Sequence, residues 1–484
     1  MKKFLVVVLV FLLSCPGSLL AFSGANAESA HNAAEAFDEL PADAFELREQ
    51  GNGIAEITGV ELGDARNVAI PSKINGLIIT AIGDSAIREK ENLVTLTIPD
   101  TVTSIGEFSF YKCENLKSVT FSDSLESIGY GAFSSCGSLK EVNLPKSLTT
   151  LGDFVFMNCS ELDTIILPDS LTTIGHGVFN NCYRLTDVIV SPDHPAYAFG
   201  NHALIDKRDR TLIQYIGPDT ETYEVPHGII KIGDDAFTYH YFKSIVIPQG
   251  VTSIGDRAFA LMSHLEEVIL PDSVTSNGYK DFYSTRSLKS IRIPAGVTEI
   301  GGNNFSWCNL VEIEVDPANP VFEMQGNMLI NKAEHKLVFH LDLDRDTAEV
   351  PEGIEIIGAG AFENSNQVET VILPDTVKEI GEDAFACCND LTDLRLPTGL
   401  KTIERGLIRN SRSIRSLTLP EGVETIKSLA IQDCENLEEI IIPASVKEIG
   451  INALTGCPRL TCKVTEGSTA QQFCEEYKIP YVIQ

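Results

Sequence analysis

Three aspartates at alternate positions, Asp342, Asp344 and Asp346, are spaced like the opening of a calcium loop. The sixth place of such a loop needs glycine and holds Thr347. Its closing glutamate position holds Gly353. The run therefore predicts a solvated acidic turn and no metal site. His335 and His340 are five residues apart with no glutamate between them, which is not the metalloprotease spacing. The 12 cysteines include no C-x-x-C pair and no histidine partner at zinc-ligand spacing. Cys462 and Cys474 are the best disulfide candidates. Leu396-Pro397-Thr398-Gly399 copies part of a wall-sorting signal, and Asn158-Cys159-Ser160 and Asn304-Phe305-Ser306 fit a glycosylation sequon. All three sit in repeat register and read as scaffold. Nucleophile-elbow, phosphate-loop and dinucleotide-binding glycine patterns are absent from the sequence. The expectation is a protein that is not an enzyme, with no cofactor and no metal.

The elements that would have to position any site all come from one phrase. Leu167 to Cys182 and Leu373 to Cys388 are two copies of it, and the proline-led frame returns mostly every 23 residues, from Pro99 to Pro443. That makes about 16 units, the mark of a stacked solenoid in which neighbours share a core. Leu116, Val119 and Phe121 alternate at strand period. Proline follows where the strand must stop. Phe110, Phe133, Phe156 and Phe179 occupy one inward slot and predict a stacked aromatic spine. Cys113, Cys136, Cys159 and Cys182 repeat at the same period, with Ser365 and Ser411 as substitutes, and predict a ladder of buried free thiols.

The combined Pro, Ile-Gly, Ala-Phe and Cys slots resemble the BspA-like leucine-rich repeat family over nearly all of residues 45–484. The resemblance implies a predominantly β, α/β-class leucine-rich-repeat solenoid, a curved right-handed superhelix with a parallel sheet on its concave side. It also implies a bacterial secreted or cell-surface protein with adhesion as its role.

Residues 1–27 read as a signal peptide: Lys2 and Lys3, an apolar run, and the cleavage site Ala25-Asn26-Ala27. Acylation at Cys15 is the rival reading. No later segment reaches the length of a membrane span. Residues 28–44 read as a flexible lead, 45–464 as the solenoid with its N-terminal cap, and 465–484 as a C-terminal cap with a helix begun by Ser468. Two long units, 192–225 and 317–350, match each other and read as β-hairpins.

A formal charge of −31 excludes a nucleic-acid surface. It serves solubility, or recognition of a basic partner. On the strands, alternation turns Ile166, Ile189, Val246, Ile269 and Arg292 outward in one row, with Asp187 and Glu267 in the row before it. These seven residues are the expected binding face for a protein partner, a host-matrix or cell-surface protein. β-Propensity alone would also produce the isoleucines. A glycan- or envelope-binding module is the alternative; its discriminator is aromatic residues outside the core.

Overall fold

The computed structural model describes residues 37–343 and 346–484. The export signal, Cys15, its cleavage site and Asp344 lie outside the described residues.

Each copy of the phrase forms one three-sided coil. On the strand face, Val119 is buried while Ser118 and Thr120 point to solvent. Parallel pairing sets the next coil one repeat on: Glu141 faces Thr164, Val142 faces Ile165 and Asn143 faces Ile166. A proline turn follows, with the Val102 amide donating to the Pro99 carbonyl at 3.0 Å. The second side is a ladder of two-residue strands, Ser104–Ile105, Ser127–Ile128, Thr150–Leu151 and Thr173–Ile174. The third side, the turn face, is bonded coil to coil through the backbone. Phe108 donates to Tyr130 at 2.8 Å, Phe110 to Ala132 at 2.8 Å and Lys112 to Ser134 at 3.0 Å. Its tight winding needs two left-handed residues per coil, for example Gly131 with Ser135, and Phe154 with Asn158.

The expected spine is present. Phe110 and Phe133 stack at 4.9 Å, Phe133 and Phe156 at 5.8 Å, and Phe237 and Phe259 at 5.5 Å. The thiols are free and mostly buried. Those of the ladder spend their proton on a carbonyl of the preceding coil: Cys136 on Phe110 at 3.2 Å, Cys159 on Phe133 at 3.3 Å and Cys182 on Phe156 at 3.1 Å. Burial pushes the Cys113 thiol up to about 11 and that of Cys182 to about 12. Cys462 and Cys474 are both buried and unbridged in this structure.

Both long units contain the hairpin and one strand more. Tyr197–Gly200, Ala203–Asp206 and Thr211–Tyr215 form an antiparallel meander that then pairs in parallel with Lys231–Ile232. Phe322–Gln325, Met328–Asn331 and Lys336–His340 repeat it, down to the same irregularity at Leu204/Ile205 and Leu329/Ile330. These units divide the interior. One core runs from Phe45 to Ile216, a second from Ala203 to Leu341, and a third from Met328 to Cys474.

The N-terminal cap carries two tight hairpins. Asn75-Gly76, at φ 51° and 84°, joins Lys73–Ile74 to Leu77–Ile82, and Asn52-Gly53 joins Phe45–Gly51 to Ile54–Val60. Within the lead, Asp38 accepts the amides of Arg66 and Asn67 at 2.7 and 2.9 Å, so residues 37–44 are tied to the first coil. At the other end, Ser468 caps the helix Thr469–Tyr477, and Tyr481–Ile483 adds a last parallel strand. The architecture is predominantly β with this short helix. No helix among the described residues is long and apolar enough to cross a membrane.

Candidate functional site

The strand face places the expected row in solvent, in two pieces. Ile166 and Ile189 are in register on adjacent strands and are 49% and 46% exposed. Val246, half-buried, is in register with Ile269, which is 47% exposed. The sheet is interrupted between the two pairs. It ends at Asp187–Val190 and restarts at Thr222–Glu224, so that Val246 has Glu224 rather than Ile189 as its other neighbour. One continuous apolar stretch was expected from the sequence, and the meander inserted between the strands is what divides it. Asp187 and Glu267 are exposed beside the pairs. Arg292 is not a free cation: it is held by Asp272 at 3.3 Å and Asp316 at 2.5 Å, carboxylates of the two flanking coils.

A second surface, which alternation could not reveal, is on the turn face. The meander bridges its neighbours so closely there that the coils before and after it touch. His176 Nδ1 lies 2.9 Å from Asp235 across 59 residues, and its Nε2 lies 3.1 Å from Asp153. Arg257 completes the cluster with a 2.6 Å contact to Asp235. The hydrogen bond that His176 donates to Asp235 raises the His176 pKa against the opposing effect of burial. Burial works to raise the Asp235 pKa, but His176 and Arg257 together bring it below the usual carboxylate value. The second long unit closes likewise. Trp307 Nε1 donates to Glu363 at 2.9 Å, and the Asn303 amide donates to the Ala359 carbonyl at 3.1 Å.

Beside the first closure the turn face forms a groove of about 480 Å³. Phe108, Tyr130 and Phe154 make one wall, with rings meeting edge to face at 5.0 and 5.5 Å. Tyr239, Arg257, Lys280 and Tyr283 stand on the other. These aromatics lie outside the phenylalanine spine. Their only sequence signal is side-chain size: Phe108, Phe154 and Tyr239 stand at left-handed positions that Gly131, Gly177 and Asn181 fill in other coils, while Tyr130 and Tyr283 have no such marker. Among the described residues no group of three or more His, Cys, Asp or Glu could hold a metal ion. His340 is core: it stacks on Phe362 at 4.7 Å, in the slot that Tyr215 fills in the first long unit. Asp342 accepts the amides of Asn366 and Gln367 at 2.9 and 3.1 Å, a contact from one coil to the next.

The profile of the BspA type leucine-rich repeat region matches 6 copies, over residues 80–205, 217–328 and 338–461. No curated protein matches the chain. Among solved structures it is similar to a leucine-rich cell surface protein from Faecalibacterium prausnitzii, at 26% identity over 89% of this chain and 95% of that one, with a TM-score of 0.39. It is also similar to a leucine-rich repeat protein from Bacteroides ovatus, at 24% identity over 91% and 98%, with a TM-score of 0.37. A third similar structure is the pneumococcal vaccine antigen PcpA, at 17% identity over 91% and 96%, with a TM-score of 0.42.

Proposed function

We propose, from the premise that this chain belongs to the BspA-type leucine-rich repeat family, that it is an exported, non-enzymatic interaction scaffold at a bacterial surface. It holds a protein partner, such as a host-matrix or cell-surface protein, on its strand face, with the two meanders flanking the contact. The observation that carries this reading is the pair Ile166 and Ile189, side by side and half exposed on a parallel sheet whose registers are fixed from coil to coil. Exposed apolar side chains on a rigid surface lose little freedom when a partner covers them. The acids Asp187 and Glu267 beside the pairs favour a basic partner and make its arrival dependent on salt.

The test is binding of purified residues 28–484 to a panel of host-matrix and cell-surface proteins, with wild type and Ile189→Asp side by side. The variant keeps its circular dichroism and melting temperature and binds the responding protein about tenfold more weakly, a loss of about 1.4 kcal/mol. Unchanged binding removes the strand face as the contact.

The second reading, a glycan- or envelope-binding module, is favoured by the groove. Its Phe108, Tyr130, Phe154, Tyr239 and Tyr283 are aromatics outside the core.

A further inference from the structure

The geometry points to the turn-face groove at the first long unit as a binding site for an acidic oligosaccharide. This deepens the glycan reading and is independent of the strand face.

The first support is the aromatic side chains placed at the tight-winding positions of the groove. Phe108, Phe154 and Tyr239 all line the groove and all have left-handed backbones, at φ 53°, 56° and 72°. The same winding is achieved with Gly131, Asn158, Gly177 and Asn181 in neighbouring coils, and with Glu89, Trp307 and Leu429 elsewhere. A bulky side chain in that conformation costs about 1–2 kcal/mol. The conformation belongs to the winding of every coil, and what is particular to the groove is that three of these positions, facing one another, carry aromatic rings.

The second support is what the groove lacks. Its backbone groups are spent between coils: Gly131 donates to Asp153 at 2.8 Å, Phe154 to His176 at 3.0 Å and Ser135 to Met157 at 2.7 Å. A peptide therefore finds no free strand edge to extend. What the groove offers is ring faces and polar side-chain tips. Those suit the C–H faces and hydroxyls of a sugar, the electron-rich ring face attracting the polarised C–H edge. Tyr130, 37% exposed, stands between Phe108 and Phe154 so that the wall is continuous across three coils. Asn180, 3% exposed, also lines the groove, and its Nδ2 has no partner among the described residues.

The third support is local charge. The chain is strongly acidic, yet the single carboxylate lining the groove, Asp235, is occupied by His176 and Arg257. Lys280 sits over the rings of Tyr279 and Tyr283 at 5.2 and 5.0 Å and has no carboxylate partner among the described residues. A uronate-type carboxylate is the complement of that ammonium.

The probes are tetragalacturonate and the neutral cellotetraose, titrated calorimetrically into residues 28–484. Tetragalacturonate binds and weakens with added salt, and cellotetraose binds about tenfold more weakly or not at all. Lys280→Gln and Tyr130→Ala, both surface changes, each reduce tetragalacturonate affinity about tenfold with unchanged melting temperature. Ile189→Asp has no effect on it. Equal binding of the two sugars overturns the acidic requirement and keeps the glycan reading. Binding of neither overturns both, as does tetragalacturonate binding that is indifferent to the two groove variants.

Discussion

The slot shared by Cys113, Cys136, Cys159 and Cys182 accepts a short side chain with one proton to give. Ser411, which stands there in a later coil, makes the same bond to the Phe385 carbonyl at 3.0 Å. Periodicity identifies this slot and its inward direction, but not the carbonyl that selects the residue. Arg292 shows the opposite limit. Alternation correctly turns it outward, but its ion partners Asp272 and Asp316 belong to other coils and carry no positional signal. Asp281 departs from the repeat in a way that has a measurable cost. It is fully buried where the preceding coils have Ala258 and Ala236, and its Oδ2 has no partner among the described residues. Burial holds its carboxyl well above the ordinary value of 3.8. A raised value in the fold means stability that is full below 3.8 and is lost as pH rises through the folded value. Asp281→Ala is expected to stabilise the protein by about 1–3 kcal/mol at neutral pH, with the gain shrinking towards pH 4. Urea titrations at the two pH values measure it, and an equal gain at both would show that the carboxyl is not buried in the proton-bound form.

The elements best read from sequence are those built from local rules. The Asn75-Gly76 hairpin, the Ser468-capped helix and the strand rows follow from turn chemistry, capping and alternation. The long units are only half readable. Leu204-Ile205 and Leu212 mark a hairpin, but Tyr197–Gly200 joins it as a third strand that lacks a clean alternating pattern. Closure of the turn face over that unit is a long-range event that no local pattern encodes. His176 is its clasp, and the sign of its pH response is determined. Its pKa is raised above 6.5, so its contribution is complete below 6.5 and is lost as pH rises through the folded value. Asp235, lowered from 3.8, contributes fully above 3.8 and fails only as pH falls through its folded value. The clasp is therefore tightest between these limits. Hydrogen exchange at Phe179 and Tyr215, whose amides bond Gln214 Oε1 and the Ala236 carbonyl at the closure, is expected to quicken relative to other coils as pH rises from 6.5 through the folded value of His176. His176→Gln removes that pH dependence, and exchange that is flat with pH in the wild type would argue against the clasp.

At the scale of the whole molecule, stability is distributed along the chain. Each coil touches mainly its neighbours, and the interior is three successive cores that meet only at the long units. Nearest-neighbour stacking of this kind loosens all-or-none behaviour when the interfaces between blocks are weaker than those within them. Calorimetric unfolding is expected to give a total enthalpy larger than the van 't Hoff value. Equality of the two would show that the long units transmit cooperativity undiminished.

The correspondence between the long units has a further consequence. Tyr215 and His340 fill one slot, Ala203 and Met328 start matching strands, and both meanders carry the same irregularity. The strands and core slots of one joint therefore repeat those of the other, while the clasping pairs differ, His176 with Asp235 at the first and Trp307 with Glu363 at the second. Unequal crossing-over between the two stretches of the gene would delete or add one complete segment, joint included, and leave every remaining coil seated. Length variants of this protein should then differ by whole segments of about 125 residues rather than by single coils, so that reach and the number of elbows are inherited together.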